Sequence, residues 1–235
     1  MKQAVIIFGL GAQIKRSGKL AKTLSNRGYK IIIFDPLDLC VDSRPMDVLT
    51  NIDLVVGISL GGLWAQKLVA KFPRSKLVLI ASFSGIGRET KLINKMVFWL
   101  NKDWVIKILN LSKKMRTEML VWIYKQVNKI PRKANEETKH IYEYEMLRNI
   151  EYFKNLSVNQ IKTAVDNVSS VDNRELLKKI KNKTLIFAGN NDDFCPLSVA
   201  KSMNRRIKNS KLVISDGGHF NVFTDNSYIE FEKFL

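Results

Sequence analysis

The sequence predicts an α/β fold in which a mostly parallel sheet carries helices on both faces. Six short apolar runs rich in β-branched residues predict strands buried on both sides, at residues 4–8, 30–34, 54–56, 76–80, 184–187 and 211–214. Segments with helix signals and Gly or Pro at their ends separate several of these runs, at residues 17–27, 44–51, 61–72 and 196–207. Alternation of strands and helices is typical of parallel sheets with right-handed crossovers.

One interval, from residue 85 to residue 181, contains no strand-like run. Amphipathic stretches predict helices there instead, at residues 91–100, 104–111, 115–128, 136–155 and 159–165. We therefore predict a core of residues 1–85 and 181–235 and a helical insertion of residues 86–180. The insertion holds three of the four tryptophans, and we expect most of its aromatic side chains to pack its helices and a few to line a pocket.

Length and composition describe one ordinary globular unit. The chain has 235 residues, of which 46% are hydrophobic and 26% charged, and these values exclude disordered, collagen-like and coiled-coil classes. No apolar stretch approaches the roughly 20 residues that a membrane crossing needs. The first residues enter a strand-like run without a signal-peptide pattern, so we expect a cytoplasmic protein. Two cysteines without CxxC spacing and only two histidines predict neither a disulfide framework nor a multi-histidine zinc site.

The net charge is +17, which would suit a nucleic-acid or acidic partner if it were concentrated in one place. Residues 86–180 contain 19 basic and 11 acidic residues, and the rest of the chain has a similar excess. We therefore interpret the charge mainly as solvated helix faces, with attraction of an acidic carrier protein, an anionic lipid or nucleic acid as the alternative. We expect no nucleic-acid partner and no insertion into a membrane.

A Gly-x-Ser-x-Gly pattern at residues 57–61 directly follows the apolar run 54–56 and directly precedes a helical segment. Glycines on both sides of Ser59 allow the tight, strained turn of a nucleophile elbow, which holds a serine hydroxyl out over the sheet. A serine needs a base to act as a nucleophile, and the base in turn needs a carboxylate to orient it. Asp192 and His219 are candidates, since each follows a predicted strand and side chains there reach the carboxyl edge of the sheet.

In these motifs the sequence resembles the α/β-hydrolase family over most of the chain outside the insertion. The family's Gly-x-x-Asp-x-x-x-Pro loop matches Gly189, Asp192 and Pro196, and its Gly-His-Phe ending matches residues 218–220. The resemblance implies an α/β-hydrolase fold with a helical lid at the insertion, trimmed of the two strands that usually precede the first core strand. It also implies acyl-enzyme chemistry on an ester or thioester by a triad of Ser59, His219 and Asp192, without a metal or an organic cofactor.

The oxyanion of that chemistry needs two aimed N–H donors. The backbone N–H of Leu60, the residue after the nucleophile, is the first candidate. The resemblance assigns the second to Leu10, in a loop where many members have His-Gly and this chain has Phe8-Gly9. A dinucleotide-binding role for this loop is disfavoured because the third glycine of that motif is replaced by Ile14.

The elbow is also similar to that of esterases that cleave pimeloyl-acyl-carrier-protein methyl ester in biotin synthesis. That similarity implies an acyl substrate bound under the lid, with Trp99, Trp122 and Phe194 as candidate pocket residues and an acidic acyl carrier protein as a partner. An alternative is a non-enzymatic protein that binds a hydrophobic ligand on the same fold. A degenerate, inactive relative and a nucleic-acid binder are weaker alternatives.

Overall fold

The computed structural model describes residues 2–9, 18–127, 143, 146–147, 150–152, 154–219 and 222–235. Six strands are described: β1 (Lys2–Ile7), β2 (Tyr29–Phe34), β3 (Leu54–Ile58), β4 (Lys76–Ile80), β5 (Thr184–Gly189) and β6 (Ser210–Ser215). They form one sheet in the order β2-β1-β3-β4-β5-β6, and every pairing between neighbours is parallel. Each strand overlaps one of the six apolar runs, so the predicted α/β class and parallel sheet are confirmed.

The described helices before β4 are α1 (Gly18–Asn26), α2 (Pro36–Val41) and α3 (Gly61–Val69). Those between β4 and β5 are α4 (Lys91–Leu100), α5 (Asp103–Ser112), α6 (Thr117–Val127), α7 (Val158–Ser170) and α8 (Arg174–Lys179). Those after β5 are α9 (Leu197–Arg206) and α10 (Asp225–Phe234). Most of the predicted helix at residues 136–155 lies outside the described residues, and those of its residues that are described are helical.

One helix prediction is wrong. Residues 44–51 contain only a short 3₁₀ turn, Arg44–Met46, and the helix after β2 lies earlier in the chain, at α2. The Asp35 carboxylate accepts the backbone N–H of Leu37 at 2.7 Å, and Pro36 occupies the first helical position. An N-cap aspartate followed by proline is a strong helix start, and it outweighs the weaker signals downstream.

The sheet is buried on both faces, which explains why its strands are continuous apolar runs. Along β1, Val5 and Ile7 pack into the cluster on one face, whereas Ala4 and Ile6 pack into the cluster on the other. All four side chains are fully buried. Strand side chains alternate between faces, so a strand covered on both sides must be apolar at every position.

The segment between β4 and β5 leaves the sheet and returns to it at one place. Gly85 and Asp172 form an antiparallel bridge, and the Asn173 N–H donates to the Ser84 carbonyl at 2.6 Å. Leu177 of α8 packs in the core with residues of the sheet. The division into residues 1–85 and 181–235 against residues 86–180 stays a prediction. In the described part of the chain, every helix is too short or too polar to cross a membrane.

Candidate active site

Ser59 lies in the turn between β3 and α3. Its φ of 50° falls in the left-handed region, which residues with a Cβ adopt rarely. The Ser59 N–H donates to the Ile80 carbonyl at 2.9 Å, and the Ser59 carbonyl accepts the N–H of Gly62 at 3.0 Å. Hydrogen bonds on both sides therefore hold the strained backbone, as a nucleophile elbow requires.

The glycines around Ser59 leave no room for a side chain. A Cβ on Gly57 would lie 2.5 Å from the Cβ of Ala65. A Cβ on Gly61 would lie 2.2 Å from the carbonyl oxygen of Ile7 and 2.3 Å from that of Phe8. These contacts bring the start of α3 against the end of β1, so glycine is needed here for close approach of the backbones.

Ser59, His219 and Asp192 form one hydrogen-bonded line across the carboxyl edge of the sheet. The Ser59 Oγ lies 2.9 Å from His219 Nε2, and His219 Nδ1 lies 2.9 Å from one Asp192 oxygen and 3.1 Å from the other. Ser59 follows β3, whereas Asp192 and His219 follow β5 and β6, more than 100 residues further along the chain. The structure therefore brings together the three side chains that the sequence analysis singled out.

The carboxylate of Asp192 is held from behind by the loop that follows it. Its Oδ1 accepts the backbone N–H of Phe194 at 2.9 Å and that of Cys195 at 2.8 Å. The Asp192 side chain is fully buried, whereas that of His219 keeps 12% of its surface exposed. Two backbone donors therefore fix the position of the carboxylate that orients the histidine.

Asp192, Cys195 and His219 also offer three ligand atoms that lie within 4.8 Å of one another. The Asp192 carboxylate already accepts two backbone N–H groups and the imidazole. Burial, and secondly the Asp192 charge, raises the pKa of the Cys195 thiol well above its ordinary value, which keeps the sulfur protonated and neutral. This donor set suits orientation of the imidazole better than metal ligation.

The first predicted oxyanion donor lies beside the nucleophile. In the described part of the chain the Leu60 N–H donates to no other group, although its carbonyl accepts from Leu63 at 3.1 Å. Leu10, the second predicted donor, lies outside the described residues, so its role stays a prediction. The residue before it, Gly9, approaches the nucleophile closely, since a Cβ there would lie 2.8 Å from Ser59 Cβ.

The three predicted pocket residues do not lie together in the structure. The ring of Phe194 lies 5.1 Å from the imidazole of His219, centroid to centroid, and packs with Leu60 in the apolar cluster beside the nucleophile. Trp99 and Trp122 are 43% and 64% exposed on the insertion, and the Trp99 ring meets those of Phe98 and Trp104. From the insertion, Ile93 and Val97 of α4 pack against the cluster of Leu60.

Three polar residues behind the elbow were not identified in the sequence. The Ser82 hydroxyl donates to the Ser59 carbonyl at 2.9 Å. The Asn173 amide donates to the Leu63 carbonyl at 2.8 Å and to Gln66 Oε1 at 3.0 Å, and all three side chains are buried. The sequence did contain a signal for such a cluster, because Gln66 is a polar residue among the apolar residues of α3.

A sequence profile described as the alpha/beta hydrolase fold matches residues 49–226 of the chain. The match covers more than half of the chain and includes Ser59, Asp192 and His219. The chain belongs to the alpha/beta hydrolase family. Among curated proteins, none has a sequence that matches it significantly.

Solved structures with the same fold include proteins named for different activities. A carboxylesterase of Nitrososphaera gargenis has a TM-score of 0.72 and 18% identity, with 100% of this chain and 89% of that chain covered. The enol-lactonase of Burkholderia xenovorans LB400 has a TM-score of 0.66 and 16% identity, with 99% and 88% covered. MenH of S. aureus has a TM-score of 0.67 and 19% identity, with 99% and 91% covered. Identities this low show the shared fold alone.

Proposed function

We propose that this protein is a serine hydrolase that cleaves a carboxylic ester or thioester of small to medium acyl size through an acyl-enzyme. The observation that carries the proposal is the line of hydrogen bonds from Ser59 through His219 to the buried carboxylate of Asp192. A strained backbone at Ser59 supports it, because a residue in that conformation has to be held by its surroundings.

In the first half of the reaction, Ser59 Oγ attacks the carbonyl carbon while His219 Nε2 takes the hydroxyl proton. The carbonyl oxygen becomes an oxyanion, which accepts the Leu60 N–H and, in our assignment, that of Leu10. The imidazolium then gives its proton to the leaving alkoxide or thiolate, and the C–O or C–S bond breaks. Ser59 is left as an acyl ester.

In the second half, water takes the place of the leaving group. His219 removes a proton from water, the hydroxide attacks the acyl carbon, and the same proton returns to Ser59 Oγ as the acid departs. Asp192 stays ionised throughout and stabilises each imidazolium by accepting its Nδ1–H. In this proposal the inserted helices form a lid over the site. Ile93 and Val97 of α4, which pack with Phe194 against the cluster of Leu60, provide apolar surface for the acyl group.

A fluorophosphonate probe and a series of p-nitrophenyl esters test this proposal. We expect the intact protein to be labelled and to turn over esters, and we expect Ser59→Ala and His219→Ala to lose both. Asp192→Asn should lower kcat by roughly 10³-fold to 10⁴-fold, because the imidazole loses its orienting anion. Asp193→Asn is the matched control, since this neighbouring residue is exposed and the imidazole bonds to Asp192 instead.

Retention of turnover in Ser59→Ala would exclude the serine mechanism. Binding of hydrophobic esters without labelling or turnover in the intact protein would support the alternative of a ligand-binding protein on this fold.

A narrower hypothesis is that the substrate is pimeloyl-acyl-carrier-protein methyl ester. This hypothesis rests on the similarity of the elbow residues 57–65 alone. Cleavage of this ester in preference to free methyl esters, with retention of the carrier protein at low salt, would support it. Equal rates on both esters would remove the carrier protein from the proposal.

A further inference from the structure

The insertion exposes an apolar face on two consecutive helices, which we call the α4–α5 face. It consists of six large side chains that are each more than two-fifths exposed: Met96, Phe98, Trp99, Trp104, Ile108 and Leu111. Monomeric proteins expose single apolar residues commonly but contiguous apolar patches rarely, and such patches mark interaction sites.

Contacts between the aromatic side chains join the two helices of the face. The rings of Phe98 and Trp99 meet edge to face at 5.5 Å, and those of Trp99 and Trp104 do so at 5.9 Å, centroid to centroid. Trp99, Trp104 and Ile108, with Val105 and Leu109 at the base, line a cleft of about 330 Å³. The face therefore joins two helices and has a concave centre.

The opposite sides of the same helices already hold the insertion to the protein. Val97 of α4 packs toward the cluster of Leu60, and Ile106 of α5 is buried against Ile161 of α7. The outward side chains are therefore not needed to attach α4 and α5, and their exposure calls for another explanation.

Positive charge is concentrated around this face, although a count of charges over the whole of residues 86–180 does not show it. Residues 91–116 contain seven basic residues and one acidic residue, against 39 and 22 in the whole chain. The acidic residue, Asp103, pairs with Lys162 at 2.8 Å. Six of the basic side chains are exposed: Lys91, Lys95, Lys102, Lys107, Lys114 and Arg116.

The cations lie among the apolar side chains rather than on a separate surface. Lys95 precedes Trp99 by one helical turn, and Lys107 lies three residues after Trp104, so each pair shares a helix face. The Lys102 Nζ lies 4.9 Å from the centre of the Phe98 ring. Long lysine side chains can lie along apolar surface while their ammonium groups stay at its edge.

We propose that the α4–α5 face binds the surface of anionic phospholipid membranes. Tryptophan is favoured at the boundary between headgroups and acyl chains, and helices with an apolar face and lysines beside it lie in that plane. Each lysine near an anionic surface adds attraction. The protein would adsorb through this face, with the aromatic side chains among the acyl chains and the ammonium groups at the lipid phosphates.

Other occupants fit the face less well. A second copy of the chain in a symmetric dimer would bring the same cations against themselves. An acidic protein would match the lysines but has no need of so many exposed aromatic and aliphatic side chains. Single-stranded nucleic acid could stack on the rings but would leave Ile108 and Leu111 without apolar partners.

Vesicle binding tests the proposal without depending on catalysis. The Ser59→Ala protein is mixed with vesicles of phosphatidylcholine alone or of equal parts phosphatidylcholine and phosphatidylglycerol, and bound protein is separated by flotation. We expect binding to the anionic vesicles at least about tenfold tighter than to the neutral ones, and weakened by salt. Brominated acyl chains should quench tryptophan fluorescence, which reports insertion without any surface variant.

Two pairs of variants locate the binding surface. Lys95→Glu with Lys107→Glu should lower vesicle affinity at least about tenfold. Lys201→Glu with Lys208→Glu makes the same change in net charge at exposed positions outside the face, and should have a much smaller effect. Trp99→Ser with Trp104→Ser should lower vesicle affinity in flotation, whereas Ile229→Ser, at an exposed apolar position of α10, should not.

The proposal is overturned by equal binding to both vesicles or by equal losses in the two lysine pairs. It is also overturned if Trp99→Ser with Trp104→Ser turns a dimer into a monomer, or if an acidic carrier protein or an oligonucleotide binds this face while vesicles do not. Ester turnover is measured separately on the protein with its native Ser59, so failure of vesicle binding leaves the serine mechanism standing.

Discussion

The hydroxyl of Ser82 donates a 2.9 Å hydrogen bond to the backbone carbonyl of Ser59. Ser82 follows β4, so a neighbouring strand fixes the turn that carries the nucleophile. A Cβ on Gly62 would lie 1.7 Å from the Ser82 Oγ, and this glycine therefore makes the room that the hydroxyl occupies. Ser82 is in this way a positioning residue for Ser59.

Ser82→Ala should lower kcat for ester cleavage while leaving KM nearly unchanged. Loss of the hydrogen bond removes about 1 kcal/mol of stability and frees the strained turn to relax, which misplaces Ser59 Oγ. Steady-state kinetics and urea unfolding measure the two effects.

Ser75→Ala is the matched control for that variant. Ser75 is also buried and its hydroxyl also donates to a backbone carbonyl, that of Ile52, but it lies before β4 at the other edge of the sheet. We expect a comparable loss of stability with kcat unchanged. Equal loss of kcat in both variants would remove the positioning role from Ser82.

Gly61→Ala should destabilise the protein by about 3 kcal/mol, because the new Cβ would overlap two backbone carbonyls that cannot move aside. Gly18→Ala should change the free energy of unfolding by no more than about 1 kcal/mol, since nothing lies within 4 Å of the added atom. Thermal and urea unfolding compare the two variants. A similar cost at both positions would show that close approach at the elbow is not the reason for glycine.

Gln66 and Asn173 should behave as one buried unit. Gln66 Nε2 donates to the Phe83 carbonyl at 2.9 Å, and its Oε1 accepts from Asn173. Gln66→Leu and Asn173→Leu should each cost about 1–3 kcal/mol, because each leaves buried polar partners unpaired. The double variant should cost less than the sum of the two, by about 1 kcal/mol in a double-mutant cycle. Additive losses would contradict the coupling.

Asp35 should make stability depend on pH. Burial, opposed by the hydrogen bond from Leu37 and reinforced by the charge of Asp38, raises the pKa of the Asp35 carboxyl above its ordinary value. The native state then holds the proton more tightly than the unfolded state does. The stability that this residue contributes is complete below about pH 4, the pKa in the unfolded chain, and is lost as pH rises through the raised pKa.

Urea unfolding of the wild type and Asp35→Asn across this pH range checks the sign. We expect the free energy of unfolding of Asp35→Asn, relative to that of the wild type, to rise as pH increases. Tyr152→Phe supplies a matched variant: the Tyr152 hydroxyl donates to Asp35 at 3.2 Å and lowers the pKa of that carboxyl, so its loss should move the change to higher pH. A difference that does not vary with pH would contradict the assignment.

Much of the fold could be predicted because its signals are local. Parallel strands covered on both faces must be apolar throughout. Ser59 directly follows such a run, and Asp192 and His219 lie in the loops that follow two others. The helix α2 was missed because its start depends on Asp35 accepting an N–H two residues on, a contact that outweighs the apolar pattern.

The rest depended on contacts between distant parts of the chain. Asn173 lies 107 residues from Gln66, and no local pattern reveals such a partner. Trp99 was predicted to line the pocket, yet α4 has apolar residues on both sides and its sequence does not say which side faces Ser59. That choice depends on how the insertion packs against the core, which is decided by residues elsewhere.

The bridge between Gly85 and Asp172 has a consequence for how such a protein can diversify. Because the two ends of the intervening segment meet, we expect that a shorter, longer or unrelated segment exchanged at this place would leave β4 paired with β5. The sheet and the loops that carry Ser59, Asp192 and His219 can thus persist while the exchanged segment takes on new ligands. Chimeras made at this junction are the natural unit for engineering substrate choice.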